Sequence, residues 1–265
     1  MTHRADPALV MANHGNSSAK VRLFGGHVVS ARVINPRTQK PQELLYAGQD
    51  LTDPKLRASH FGCPAGADGF GISNKHGATR YADHEIRISE ETDHLVLRAN
   101  LGKAAIGVTR EVILDDNSVG IMDTVTNLRP PSGGESEETS LLSHLYLRRG
   151  SVTPSSEHPI TLNGETIDDT LREKGAAQRI VDGTPHLWTG FADINSAMIG
   201  MPDGSRIELT ASINGEPVDG ALLWAPPGED AFCVEPVVGL TDESNRGYVI
   251  PAGSLGMLVA TIEAV

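Results

Sequence analysis

The stretch AFCVEPVVG, residues 231–239, sets Glu235 in an apolar, strand-like run directly before Pro236. An ionised carboxylate is expensive to bury without partners. Glu235 therefore has two readings. It faces water on an edge strand ended by Pro236, or it sits in a pocket where partial burial raises its basicity. A partner is offered by LLSHLYLRRG, residues 141–150. His144 and Tyr146 lie two apart in a strand-like run and so share a sheet face, with Leu145 and Leu147 on the other. A His–Tyr face on an apolar strand points to a pocket, with a satisfied structural histidine as the plain alternative. A carboxylate and an imidazole can together remove one proton and deliver another near neutral pH.

Three more stretches carry residues suited to binding. LLWAPPGEDAFCVEPVVG, residues 222–239, puts Trp224 and Glu235 on neighbouring strands of a hairpin turning through PPGED. An indole beside a carboxylate suits stacking on the apolar face of a sugar ring. NKHGATR, residues 74–80, carries His76 and Arg80, and TGFADIN, residues 189–195, carries Asp193. Taken alone, His76 reads as a surface loop residue and Asp193 as a turn or cap residue.

The elements that must position these residues are strands. VRLFGGHVVSARVI (21–34) reads as two strands around Gly25-Gly26, HEIRISEETDHLVLRANL (84–101) as a hairpin, and VTREVILDDNSVGIMDTVTNL (108–128) as another. MPDGSRIELTASI (201–213) opens on a PDG turn and then alternates, and GYVIPAGSLGMLVATIEAV (247–265) reads as a final pair. With 28 Gly and 16 Pro as punctuation, this density of strands indicates an all-β chain. A short helix is expected within TIDDTLREKGAA (166–177). The biased segment NLRPPSGGESEETS (127–140) reads as a surface loop within one sheet system. No repeat or linker divides the chain, so a single domain over 1–265 is expected, with 1–20 a flexible or loosely packed lead-in.

The composition narrows the function. With 22 basic against 34 acidic residues and a net charge of −12, the chain is a poor partner for nucleic acid or anionic membrane. A small anionic ligand stays open, since repulsion is screened over about 8 Å at physiological salt. Cys63 and Cys233 form no CxxC pair, and no His/Cys/Asp group has metal-ligand spacing, so no metal is expected. The N-terminus carries no signal-peptide pattern and no run approaches about 18 apolar residues. The expectation is a cytoplasmic chain with free thiols, a single distant disulfide being the alternative.

These motifs together resemble a family. HGATR looks like the HGFAR-type motif of hexose-phosphate mutarotases, LSHLYL is similar to the His-x-Tyr strand of aldose 1-epimerases, and LLWAPPGEDAFCVEPVVG resembles their Trp-x-Pro … Phe-x-Cys-x-Glu-Pro segment. VRLFGGHVVSARV and ELLYAG resemble the opening strands, and the order matches from about residue 20 to the C-terminus. The likeness is to the galactose mutarotase-like superfamily, nearer its glucose-6-phosphate 1-epimerase branch. It implies a large antiparallel β-supersandwich and a cofactor-free isomerase of aldohexoses or hexose 6-phosphates. By matching positions, Glu235 is the general base and His144 the general acid. His76 and Asp193 bind hydroxyls, Arg80 a hydroxyl or phosphate, and Trp224 and Tyr146 line the pocket. Arg57 and Arg149 are candidate phosphate contacts, although KLRASHFGCPAGADGFG (55–71) lacks the Arg-Gly-Gly of phosphate-binding members.

Mutarotation needs one proton removed and one delivered, expected from opposite sides of the ring. Two other readings stand beside it. A non-catalytic sugar-binding module would need Trp224, Arg80 and Asp193 but not the Glu–His pair. A β-sandwich glycoside hydrolase or lyase would need a second acid, such as Asp193, about 5 to 9.5 Å from Glu235. Oligomeric state is left open.

Overall fold

The computed structural model describes residues 9–53, 56–62, 78–88, 93–101, 105–139, 141–148, 160–162, 165–166, 186–188, 196–200, 206–218, 220–224, 229–239 and 248–265. In chain order these carry β1 (Leu9–His14), β2 (Ser17–Arg22), β3 (His27–Asn35), β4 (Lys40–Glu43), β5 (His60–Gly62), β6 (Glu85–Ile88) and β7 (His94–Leu101). Next come β8 (Ile106–Leu114), β9 (Ser118–Asn127), β10 (Glu137–Thr139), β11 (Leu141–Arg148), β12 (Ile160–Leu162), β13 (Glu165–Thr166) and β14 (His186–Trp188). The last are β15 (Ser196–Gly200), β16 (Arg206–Ile213), β17 (Gly220–Trp224), β18 (Ala231–Val238), β19 (Tyr248–Ile250) and β20 (Leu255–Ala264). The helical content among the described residues is one 3-10 turn, Ala78–Tyr81. No helix among them is long and apolar enough to cross a membrane.

The strands make an antiparallel supersandwich, the all-β fold expected from the alternating runs. A nine-stranded sheet runs β13-β12-β15-β16-β20-β9-β8-β7-β6, a five-stranded sheet runs β14-β17-β18-β11-β5, and β1 to β4 form a meander. The expected hairpins at 84–101 and 108–128 are β6–β7 and β8–β9. Two expectations are corrected. The supposed lead-in carries β1 and most of β2, a hairpin whose Ala12, Ala19 and Val21 are buried. The last two strands do not pair with each other: β19 joins β10, while the longer β20 pairs with β9 over most of its length and with β16 over Leu258–Ala264.

Alternation explains the layers. β9 and β20 bury every second residue, so each gives the nine-stranded sheet one core face and one outer face. One continuous core joins Val21 and Val33 of the meander, Ile121, Leu209 and Ile262 of the large sheet, and Leu145, Leu147, Leu223, Phe232 and Val234 of the five-stranded sheet. Each such aliphatic side chain contributes about 1.5–3 kcal/mol on full burial. β18 breaks the alternation, because all eight of its residues are buried. β11 does nearly the same, with only Arg148 exposed. A central strand covered on both faces is where polar groups must be there for a reason.

A buried ion pair ties the sheets together. Arg110 of β8 and Asp123 of β9 face each other in register and pair bidentately at 2.6 and 2.7 Å. Arg110 also donates to the carbonyl of Gly26, 2.7 Å away, in the turn between β2 and β3.

Candidate active site

On β18, Phe232, Val234 and Val238 enter the main core. The alternate residues Cys233 and Glu235 therefore face the other side of the sheet. On β17, Trp224 pairs with Cys233 and Leu222 with Glu235. On β11, Tyr146 pairs with Cys233, and the register set by Leu142↔Val237 and Leu145↔Val234 puts His144 opposite Glu235. Two rows result, Leu222–Glu235–His144 and Trp224–Cys233–Tyr146. His144 Nε2 lies 3.2 Å from Glu235 Oε1, with both side chains buried. The His144 ring stacks on Tyr146 at 4.5 Å and 12°, and Trp224 meets both rings edge-on at 6.2 and 6.3 Å. Tyr46 packs into the same cluster, its N–H donating to the Tyr146 carbonyl at 2.8 Å.

Pro236 marks this point in the sheet. Even-numbered residues of β11 turn their backbone away from β18: Tyr146 N–H donates to Ser59 Oγ and Arg148 N–H to the Leu44 carbonyl. Ser143 therefore turns its carbonyl toward β18, where it meets a residue with no N–H to donate. The β11–β18 pairing is interrupted only at Ser143 and His144 and resumes on either side. A proline inside a central strand is rare, and here the gap in the ladder falls beside Glu235.

Burial pushes the Glu235 carboxyl up to about 8, against the opposing pull of the Arg80 guanidinium. Near neutrality Glu235 is therefore largely protonated, with its O–H within reach of His144 Nε2. Burial, then Cys233 and Glu235, raises the Tyr146 phenol above its usual range. Burial and Glu235 likewise raise the Cys233 thiol. Arg80 is buried in the 3-10 turn and donates to the Leu56 carbonyl at 3.2 Å. Its backbone passes so close to Gly25 that a Cβ there would lie 2.3 Å from the Arg80 carbonyl, and Gly25 has φ +75°. Gly25-Gly26, visible in the sequence as a strand break, thus lets the Arg80 turn approach.

Of the residues expected at the site, Glu235, His144, Tyr146 and Trp224 are brought together. Arg80 lies close enough to act on Glu235 electrostatically. Arg57 lies over Trp224, its guanidinium carbon 5.7 Å from the ring centroid, and is held by Glu229 at 2.9 Å. His76, Asp193 and Arg149 lie outside the described residues, as does the helix predicted over 166–177 except for Thr166 in β13. Glu235 and His144 are adjacent because they face each other on paired strands. Glu229, which holds Arg57, and Cys233, which packs beside Tyr146, lie next to these residues. The signal for Cys233 was its i, i+2 spacing from Glu235, which puts both on one strand face. Ligand atoms of His144, Cys233 and Glu235 lie within 4.8 Å of one another, a donor set that linear spacing did not reveal.

No family model matches the sequence, and no curated protein matches it significantly. Solved structures do. A galactose mutarotase-like protein from Lactobacillus casei matches over 97% of this chain and 100% of its own, with TM-score 0.67 and 15% identity. A galactose mutarotase-like protein from Clostridium acetobutylicum covers 96% of this chain and 94% of its own, with TM-score 0.67 and 14% identity. Galactose 1-epimerase from Lactobacillus acidophilus covers 100% and 97%, with TM-score 0.66 and 11% identity. The chain has the galactose mutarotase-like fold over nearly its whole length.

Proposed function

We propose that this protein, acting as one domain, is an aldose 1-epimerase that interconverts the α and β anomers of an aldohexose or its 6-phosphate. The observation that carries the reading is the buried Glu235–His144 pair, 3.2 Å apart, on a sheet face where aromatic rings are also gathered. The anomeric hydroxyl and the ring oxygen are borne by the same carbon. Adjacent acid and base groups can therefore serve both oxygens. Glu235 takes the hydroxyl proton and His144 protonates the ring oxygen, the C1–O5 bond opens to the aldehyde, and the carbonyl rotates. Ring closure on the other face returns both protons with the roles exchanged. A carboxyl raised to about 8 gives and takes a proton near neutral pH with little driving force lost. Trp224 supports a sugar ring by stacking, with Tyr146 beneath His144. His76 and Asp193 hold hydroxyls, Arg80 a hydroxyl or a phosphate, and Arg57 is a candidate phosphate contact.

The test is anomer exchange followed by polarimetry or saturation-transfer NMR on glucose, galactose and glucose 6-phosphate. Acceleration of any one of them supports the reading. Binding measured by calorimetry without acceleration of any would replace it with a carbohydrate-binding module.

A further inference from the structure

We propose that His144, Cys233 and Glu235 form a binding site for a thiophilic divalent cation of the Zn2+ class. The donors are an imidazole nitrogen, a thiol sulfur and a carboxylate oxygen, all within 4.8 Å of one another. This mixture is the one that Zn2+ takes, at about 2.0–2.3 Å per ligand. Donors sharing one tetrahedral ion stand about 3.5 Å apart, so rotation of side chains by an ångström or so closes the set. The sheet already positions all three residues. Cys233 and Glu235 project from the same face of β18, and the β11–β18 register sets His144 opposite Glu235. All three are buried, so a bound ion would sit in a low-dielectric setting that strengthens its attraction for two anionic donors. Binding displaces the thiol proton and any carboxyl proton to solvent, leaving a doubly anionic donor pair against the dication. Three protein ligands leave a fourth position for water or a sugar hydroxyl.

The ion would occupy the same two groups that the acid–base reading employs. Zn2+ therefore inhibits anomer exchange; this consequence, unlike the binding itself, rests on that reading. Cys233 takes no part in the proton transfers, so its loss separates the two.

Co2+ titration of the full chain provides the readout, since a thiolate ligand gives a charge-transfer band that oxygen and nitrogen donors do not. A single such band at one equivalent is expected, displaced by Zn2+. Cys233→Ser and Cys233→Ala should abolish it, and His144→Gln should weaken binding roughly tenfold or more. His14→Ala should leave it unchanged, because the exposed cluster of His14, Asp115 and Asp116 holds no sulfur. Zn2+ should slow anomer exchange by the wild type and not by Cys233→Ser. Absence of the band across the titration, or its persistence in both Cys233 variants, overturns the proposal. A protein that binds Co2+ through Cys233 but accelerates no sugar upholds the metal site and sinks the 1-epimerase reading instead.

Discussion

His144 and Glu235 face each other across paired strands, and the imidazole nitrogen stands 3.2 Å from the carboxyl oxygen. Glu235→Gln keeps the size and the hydrogen-bonding reach but cannot exchange the proton. It should lower kcat for anomer exchange by about 10²–10⁴ with a folded protein, and His144→Ala should do the same. Polarimetric rates, with circular dichroism to check folding, decide the matter; near wild-type rates in both variants would remove the assignment.

The raised Glu235 carboxyl also predicts two pH effects of opposite benefit. Its folded value of about 8 lies above the usual 4.5. The folded state thus holds a proton that the unfolded state gives up. The associated stability is fully present below pH 4.5 and is lost as pH climbs to 8. The loss is on the order of a few kcal/mol at most. Thermal melts should show the wild type weakening relative to Glu235→Gln across that window. As the proposed base must be ionised while the proposed acid keeps its proton, kcat/KM should follow a bell-shaped pH profile, and Glu235→Gln should remove the limb that Glu235 sets.

Gly25 holds the path of the Arg80 turn. An alanine there would meet the Arg80 carbonyl at 2.3 Å and would also have to hold φ +75°. Gly25→Ala should destabilise the fold by roughly 1–3 kcal/mol and raise KM as Arg80 shifts. Denaturant titration and steady-state kinetics measure the two parts.

Asp123 neutralises Arg110 where neither side chain meets water. Asp123→Asn would leave that guanidinium uncompensated and should cost about 3–5 kcal/mol. Replacing both together with apolar residues should cost much less, as a double-mutant cycle by chemical denaturation would reveal.

Glu229 and Arg57 present the contrasting case. Their pair is partly exposed, so Glu229→Gln should change stability by less than about 1 kcal/mol. The freed Arg57, still above Trp224, should then lower KM for a hexose 6-phosphate relative to the unphosphorylated hexose. Equal KM changes for both sugars would show that Arg57 does not face the phosphate.

Local signals carried the fold and part of the site. The two-residue spacing of His144 and Tyr146 announced a shared face, and the PPGED turn announced that β17 and β18 are neighbours. The meeting of His144 with Glu235 depends on β11 pairing with β18, a long-range contact for which no turn exists to be read. Arg57 and Glu229 stand 172 residues apart, and nothing in either neighbourhood points to the other. The misread pairing of β19 with β20 arose from the PAG turn between them, which mimics a hairpin, whereas β20 gains longer ladders elsewhere.

The two-sided burial of β18 makes the site a sensor of strand register. Its odd positions carry Cys233 and Glu235, and its even positions carry Phe232, Val234 and Val238 into the core. A slip of one residue against β11 or β17 would drive the carboxyl into the hydrocarbon interior and turn Phe232 outward. A slip of one residue therefore cannot keep this core and leave Glu235 opposite His144.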